Sequence, residues 1–210
     1  SASDFAYYND VDKYINEANE YGVHAFLVVG WDLESSKLAV KIAEEHKNVY
    51  AAVGIHPCDS LIMKGNDLIE LEGLLSNKKV ICIGEIGLDY HWNKLESERE
   101  TQKKYFVEQI KLANKYHLPV SIHSRDANEE TYKILEANTP CCGGLMHCYS
   151  GGKEMLDKYL NLGMYISFGG PLTFKNSITP KESAIKCPIN KINFIIYIII
   201  FKKIRLYKFL

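Results

Sequence analysis

Short apolar runs and amphipathic segments alternate along most of this chain, from residue 10 to residue 170. The apolar runs are rich in Val, Ile, Ala and Leu and do not alternate polar with apolar residues, which is typical of strands buried on both faces of a sheet. The segments between them have helical spacing, as in the apolar face of Val11, Tyr14, Ile15 and Ala18. Strands separated by helices indicate βαβ units and a parallel sheet.

This alternation predicts six strands, with one helix before the first strand and one between each pair. The predicted strands cover residues 24–30, 49–55, 80–86, 118–123, 143–148 and 164–168. The predicted helices cover residues 11–18, 33–46, 68–75, 97–116, 129–137 and 153–162. A doubly wound sheet and a (β/α) barrel both fit this order of elements.

Composition limits the partners of the chain. With 25 basic and 26 acidic side chains and a net charge of −1, the whole surface does not attract nucleic acid, so phosphate binding must be local. The six cysteines include no C-x-x-C pair and no secretory signal opens the printed sequence, so we expect small buried thiols in a reducing compartment. The expected location is the cytoplasm, or the nucleus in a eukaryote.

Four consecutive predicted strands end in a residue that can bind a metal or transfer a proton, namely His56, Glu85, His123 and His147. Ligands of parallel α/β folds bind at the carboxyl ends of the strands, so we expect these side chains to converge. Strand ends form a ring in a barrel, which favours the barrel over an open sheet. Histidine nitrogen and carboxylate oxygen bind zinc, and a carboxylate also holds magnesium or manganese.

Polar residues outside this group have less specific roles. Arg125 follows His123 by two residues, and its guanidinium is suited to clamp a phosphate through two parallel hydrogen bonds. The alternative is a surface salt bridge with Asp126 or Asp89. A histidine at a predicted helix end, such as His117, is expected to interact with the helix dipole.

Six segments of the chain together resemble the TatD family of metal-dependent deoxyribonucleases. They appear in the order of that family and cover roughly residues 10–188. The segments are GVHAFLVVGWDLESS, NVYAAVGIHPCDS, VICIGEIGLDYHW, LPVSIHSRDA, HCYSGG and FGGPLTFKNS. The resemblance implies a TIM-like α/β barrel, two divalent metal ions (Mg²⁺, Mn²⁺ or Zn²⁺) and hydrolysis of phosphodiester bonds at single-stranded DNA ends, from the 3′ side.

The resemblance also assigns roles to individual residues. It implies that Glu85 bridges the two ions and that His123 and His147 hold the second ion. It further implies that His56, Asp89 and Arg125 line the substrate pocket and take part in catalysis.

Two elements of the family pattern have no counterpart in the printed sequence. These are the opening strand that ends in His-x-His and the Glu-Thr-Asp element of the last strand. We therefore expect a TIM-like barrel that is incomplete at both ends, with about six of eight strands, over residues 1–188. An atypical Ile- and Lys-rich tail covers residues 189–210.

The apolar part of the tail, residues 192–201, is about ten residues long against the ~20 that cross a bilayer, so no membrane anchor is expected. We expect the tail to pair with an exposed edge of the sheet or to act as an aggregation site.

The function expected from these observations is metal-dependent hydrolysis of DNA, impaired if the missing ligands are essential. One alternative keeps the metal centre and changes the substrate to the ester that links a D-amino acid to transfer RNA. The other is a remnant without catalytic activity. The sequence makes no prediction about the oligomeric state.

Overall fold

Parallel strands and the helices between them build the framework of the chain. The structure, a computed structural model, describes residues 11–194, 198–200 and 204–208. Its parallel strands are β1 (Phe26–Val29), β2 (Val49–Val53), β3 (Val80–Asp89), β4 (Val120–Arg125), β5 (Gly144–Met146), β6 (Tyr165–Phe168) and β7 (Ile192–Phe194). The α-helices of the described residues are α1 (Val11–Glu20), α2 (Leu33–Glu45), α3 (Asp67–Leu74), α4 (Glu96–Tyr116), α5 (Asn128–Ala137), α6 (Lys153–Asn161) and α7 (Ile178–Lys186).

The order of the strands decides between the two predicted architectures. Neighbours in the sheet follow the order of the chain from β1 to β7, and every one of these pairings is parallel. A doubly wound sheet reverses its strand order at a switch point, whereas a (β/α) barrel does not. The incomplete TIM-like barrel is therefore confirmed, and β7 adds a short parallel strand to the six predicted.

The tail contributes two antiparallel strands next to β1. They are β8 (Ile198–Ile200) and β9 (Ile204–Lys208), and β9 pairs with β1 in the register Phe26↔Lys208. An open strand edge exposes unpaired backbone groups, and β9 covers that edge. Of the two expectations for the tail, edge pairing is the one observed. The domain boundary after residue 188 stays a prediction.

The apolar residues of the strands serve two separate cores. Phe26 and Val28 of β1 face the helices and join the large core, while Leu27 and Val29 pack inside the half-barrel in a smaller cluster. All four residues are at most 5% exposed. Because both faces are buried, this strand shows no polar–apolar alternation.

Strand β3 is longer than the predicted 80–86 because Gly87 does not end it. Gly87, Leu88 and Asp89 pair with His123, Ser124 and Arg125 of β4. Gly87 has a φ of 141°, and a Cβ at this position would lie 2.0 Å from the carbonyl oxygen of His123. A glycine therefore lets the two strands approach closely at this point, whereas glycine usually interrupts a strand.

The expectation of buried thiols is wrong for two cysteines. Cys82 and Cys187 are buried and Cys58 and Cys148 are partly buried, but Cys141 and Cys142 are exposed. These two lie in the turn between α5 and β5, a segment that the predicted helix 129–137 and the predicted strand 143–148 also leave out.

No helix within the described residues is both long enough and apolar enough to cross a bilayer.

We expect Gly87→Ala to lower the free energy of unfolding by more than ~1 kcal/mol. A side chain at this φ is strained, and its Cβ collides with the backbone of β4. Urea unfolding monitored by circular dichroism measures the change. Gly65→Ala is the control, since nothing lies within 4 Å of a Cβ built at Gly65. Equal stability of the two variants would contradict the close strand approach.

Candidate metal centre

The four predicted strand-end residues lie together at one end of the sheet. The Nδ1 atom of His123 lies 3.2 Å from Oε1 of Glu85. The Nε2 atom of His147 lies 3.7 Å from the same oxygen. The ring of His56 meets the ring of His123 edge to face, with 4.4 Å between the centroids. The predicted convergence is therefore present in the geometry.

Glu85 occupies the centre of this group as a buried carboxylate that is only 1% exposed. Burying a carboxylate is unfavourable unless cations or hydrogen-bond donors surround it. The ligand atoms of His56, Glu85 and His123 all lie within 4.8 Å of one another. Glu85 and His123, together with His147, whose Nε2 atom lies 3.7 Å from the Glu85 carboxylate, supply the imidazole and carboxylate donors that suit a divalent ion such as Zn²⁺ or Mn²⁺. The residues present therefore fit the metal that the sequence predicts.

His123 lies between two carboxylates. Its Nε2 atom is 3.0 Å from Oδ2 of Asp89, while its Nδ1 atom faces Glu85. Burial lowers the pKa of His123, but the hydrogen bonds with Asp89 and Glu85 outweigh it and raise the pKa to about 9. The imidazole therefore carries a proton and a positive charge at neutral pH. The position between Glu85 and His123 therefore stabilises a positive charge, and a metal bound there would replace the proton on Nδ1 of His123.

Asp89 is engaged by protein groups on both of its oxygens. Oδ1 accepts hydrogen bonds from the backbone N–H groups of His91 (3.0 Å) and Trp92 (3.1 Å). Burial acts to raise the pKa of Asp89, yet the hydrogen bonds from His123 and Trp92 hold it below its usual value. A carboxylate behind a histidine is the usual device that orients a metal-binding imidazole. The geometry therefore favours Asp89 as the residue that positions His123.

His56 presents a hydrogen-bond donor. The backbone N–H of Cys58 lies 3.3 Å from Nδ1 of His56, and an N–H group can only donate. Nδ1 is thus the acceptor, and the neutral imidazole carries its proton on Nε2. A protonated nitrogen suits contact with a substrate oxygen better than ligation of a metal.

Arg125 lies at the rim of the group, with its guanidinium carbon 5.6 Å from the centre of the Trp92 ring. The two carboxylates predicted as salt-bridge partners of Arg125 contact other residues. Asp89 contacts His123, and Asp126 lies 3.0 Å from Nδ1 of His91. Within the described part of the chain, no carboxylate lies within 4.0 Å of the Arg125 guanidinium. The geometry favours the predicted contact with an anion over the salt bridge.

Comparison with known proteins identifies the family. The sequence matches the TatD related DNase family over residues 2–193. The chain belongs to this family. The family predicted from the sequence motifs is thus confirmed, and the chain is a metal-dependent hydrolase of the TatD type.

Individual TatD relatives cover most of this chain. The metal-dependent hydrolase YabD of Bacillus subtilis is 40% identical over 187 residues, which are 89% of this chain and 72% of the relative. A Shigella flexneri protein named 3′-5′ ssDNA/RNA exonuclease TatD is 32% identical over 173 residues, covering 81% of this chain and 64% of that protein. The crystal structure of YJJV, a TatD homologue from Escherichia coli, superposes with a TM-score of 0.83 at 28% identity, over 88% of this chain and 71% of YJJV.

Two buried glutamines of α4 were missed by the sequence analysis. The amide of Gln109 accepts from the N–H of Ile55 at 2.7 Å and donates to its carbonyl at 3.1 Å. Gln102 does the same for Asp89, at 2.9 and 3.2 Å. Each glutamine is 1% exposed, and seven residues separate them, so both lie on one helix face. They fix the strand ends that carry His56 and Asp89 in this TatD half-barrel.

A signal for these glutamines exists in the sequence. Their helix face also carries Phe106, Ile110 and Ala113, which are buried in the core. An uncharged polar residue on the apolar face of a helix must find a buried partner. The pattern therefore points to a polar contact, although it does not name Ile55 or Asp89 as the partner.

Removal of charge from the buried carboxylates tests the metal centre. We expect Glu85→Gln to abolish measurable Mn²⁺ binding in isothermal titration calorimetry, because it removes the central anion. Asp89→Asn is expected to weaken binding by about 10- to 100-fold, the usual effect of losing the partner that orients a histidine ligand. Asp126→Asn is the matched control, since Asp126 contacts only exposed His91 among these residues. Unchanged Mn²⁺ affinity in folded Glu85→Gln would rule the centre out.

Proposed function

We propose that this chain is a metal-dependent nuclease that removes nucleotides from the 3′ end of single-stranded DNA. The observation that carries the proposal is the group of buried Glu85 and His147 with partly buried His123, beside a guanidinium that has no carboxylate partner among the described residues. In metal-assisted phosphodiester hydrolysis, a cationic centre stabilises the charge that develops in the reaction, and a further cation beside the phosphate binds and neutralises it.

Glu85, His123 and His147 are the residues that we assign as metal ligands. Bound by these residues, divalent ions such as Mg²⁺, Mn²⁺ or Zn²⁺, two in the family site, would supply an activated water and would neutralise the charge of the transition state. Asp89 holds His123 in orientation through Nε2, which leaves Nδ1 facing Glu85. Asp89 thus holds the imidazole in one orientation and would keep its proton on Nε2 when Nδ1 binds a metal.

His56 and Arg125 are assigned to the phosphate. The Nε2–H of His56 donates to a non-bridging oxygen, because Nδ1 already accepts from Cys58. The Arg125 guanidinium binds the phosphate through two N–H groups, a geometry that lysine does not offer. Because the net charge of the chain is −1, its whole surface does not attract DNA, and the Arg125 guanidinium provides a local positive charge for the phosphate instead.

Trp92 supports a substrate with unpaired bases. Its indole is 68% exposed and lies against Arg125 at the rim of the site. An exposed aromatic ring beside a phosphate-binding cation is the usual combination in proteins that bind single strands, where a base stacks on the ring. A base stacked on Trp92 places the adjoining phosphate next to Arg125. The name of the Shigella flexneri relative, an ssDNA/RNA exonuclease, agrees with such a substrate.

A timed digestion of 3′-labelled single-stranded DNA with Mg²⁺, Mn²⁺ or Zn²⁺ tests the proposal. We expect metal-dependent trimming by the wild-type chain and a loss of at least ~1000-fold in Glu85→Gln, since losing the metal removes its whole contribution to the barrier. The same assay on labelled RNA determines whether the sugar matters.

Two outcomes would overturn the nuclease assignment. Inactivity toward DNA combined with hydrolysis of D-aminoacyl esters of transfer RNA would replace the substrate while keeping the metal centre. Inactivity toward both substrates in a folded, Mn²⁺-loaded protein would identify a remnant without catalytic function.

Substitution of Trp92 separates binding of the base from the chemistry. We expect Trp92→Ala to raise KM for single-stranded DNA by roughly 5- to 150-fold, the equivalent of ~1–3 kcal/mol of stacking energy, with little change in kcat. Trp92→Phe keeps an aromatic face and is expected to retain most of the affinity. If both variants keep the wild-type KM, no base stacks on this ring.

A further inference from the structure

Three side chains that can bind a metal lie together at the opposite end of the parallel strands. His117 directly follows α4, and Cys141 and Cys142 form the turn that precedes β5. The candidate catalytic residues His123 and His147 lie at the other ends of β4 and β5. Because β4 advances three residues from Val120 to His123, at ~3.3 Å each, the two groups are separated by about 10 Å of strand. The cysteine cluster is thus not part of the site around Glu85.

The ligand atoms of this cluster have the spacing of a metal site. Sγ of Cys141 lies 3.7 Å from Sγ of Cys142 and 3.8 Å from Nδ1 of His117. All three ligand atoms lie within 4.8 Å of one another. Tetrahedral zinc with Zn–S bonds of about 2.3 Å and Zn–N bonds of about 2.0–2.1 Å requires about 3.8 Å between two sulfurs and about 3.6 Å between sulfur and nitrogen. The two separations that involve Cys141 agree with these values, and the third, between Sγ of Cys142 and Nδ1 of His117, is at most 4.8 Å.

The backbone that carries the three side chains is held in place. The side chain of Asn114, from the last turn of α4, accepts from the N–H of Cys141 at 2.7 Å and donates to the carbonyl of Thr139 at 3.1 Å. His117 adopts a left-handed conformation with a φ of 52°, and its N–H caps α4. One amide thus joins the end of the helix to the cysteine turn, so a metal would need to order only side-chain rotamers.

Neither a disulfide nor the helix dipole accounts for the cluster. A sulfur–sulfur separation of 3.7 Å excludes a disulfide, whose bond length is about 2.0 Å, and both cysteines are free thiols. The helix dipole accounts for a histidine at the end of α4 but not for the contact of its Nδ1 with a thiol. Exposed thiols are unusual, since free cysteines are among the most buried residues. Two exposed thiols beside an imidazole are therefore better explained by a ligand that they bind.

We propose that His117, Cys141 and Cys142 bind one zinc ion, with the fourth position occupied by water or by an external ligand. Thiolates select zinc over magnesium and manganese, whereas the carboxylate and imidazole donors around Glu85 accept all three. The zinc ion ties the end of α4 to the turn before β5. This site is independent of the proposed nuclease activity.

A titration of the reduced chain with Co²⁺, a spectroscopic substitute for Zn²⁺, tests the proposal. Thiolate ligands give Co²⁺ an intense near-ultraviolet charge-transfer band that nitrogen and oxygen ligands do not give. We expect this band to saturate at one equivalent of thiolate-bound Co²⁺ and to disappear when Zn²⁺ displaces the cobalt. The band should persist in Glu85→Gln, which removes the other centre.

Three variants complete the test. The double variant Cys141→Ser/Cys142→Ser is expected to lose the band, and His117→Ala to weaken Co²⁺ binding at least 10-fold. His24→Ala, which removes an exposed histidine elsewhere, is expected to keep wild-type affinity. A folded, reduced wild-type chain without the band, or a band retained in the double cysteine variant, would overturn the proposal.

Thermal unfolding gives a second readout that does not depend on absorbance or activity. In the Glu85→Gln background, Zn²⁺ should raise the melting temperature, because an ion that binds only the folded chain stabilises it. Adding Cys141→Ser/Cys142→Ser to that background should remove the shift. An equal Zn²⁺ shift in both proteins would place the bound ion elsewhere.

Discussion

The buried carboxylate of Glu85 is the constraint on which the candidate site depends. Burying a carboxylate that is 1% exposed is unfavourable unless cations or hydrogen-bond donors lie beside it, and the imidazoles of His123 and His147 lie 3.2 and 3.7 Å from its Oε1 atom. In the absence of metal, the hydrogen bond with Asp89 helps to raise the pKa of His123 and so to keep its imidazole protonated. The glutamines of α4 then fix the backbone near these groups. The buried charge of Glu85 therefore explains why the imidazoles lie beside it and why Asp89 lies beside His123.

The parallel sheet makes this arrangement from residues that are far apart in the chain. His56 and His147 are separated by 91 positions, yet both lie at the carboxyl ends of strands that β3 and β4 connect. Each βαβ unit returns the chain to the same edge of the sheet, so each strand from β2 to β5 adds one or two side chains to the site. The close contact of Gly87 with β4 sets the separation between β3 and β4 at this point.

The two ends of β4 and β5 carry donors of different chemistry. Carboxylate and imidazole groups lie at the carboxyl ends, and two thiols with an imidazole precede the amino ends. Hard oxygen donors accept magnesium, manganese and zinc, while thiolates discriminate strongly in favour of softer ions. The two groups can therefore take different ions at the same time, one near the proposed chemistry and one at a structural junction.

The sequence by itself determined six of the parallel strands, the helix before the first of them, the helices between them and the residues at the strand ends. Hydrophobic period is a local property, and residues such as Glu85 and His147 stand out because a polar group ends an apolar run. The motifs around them also identified the TatD family.

The tertiary structure decided what depends on contacts between distant segments. It selected the sequential strand order over the doubly wound alternative, paired Gln109 with Ile55, left Arg125 without a carboxylate partner among the described residues, and brought His117 to Cys141. Those contacts join residues 24 to 54 positions apart, and the spacing of residues within one helix or strand carries no information about them.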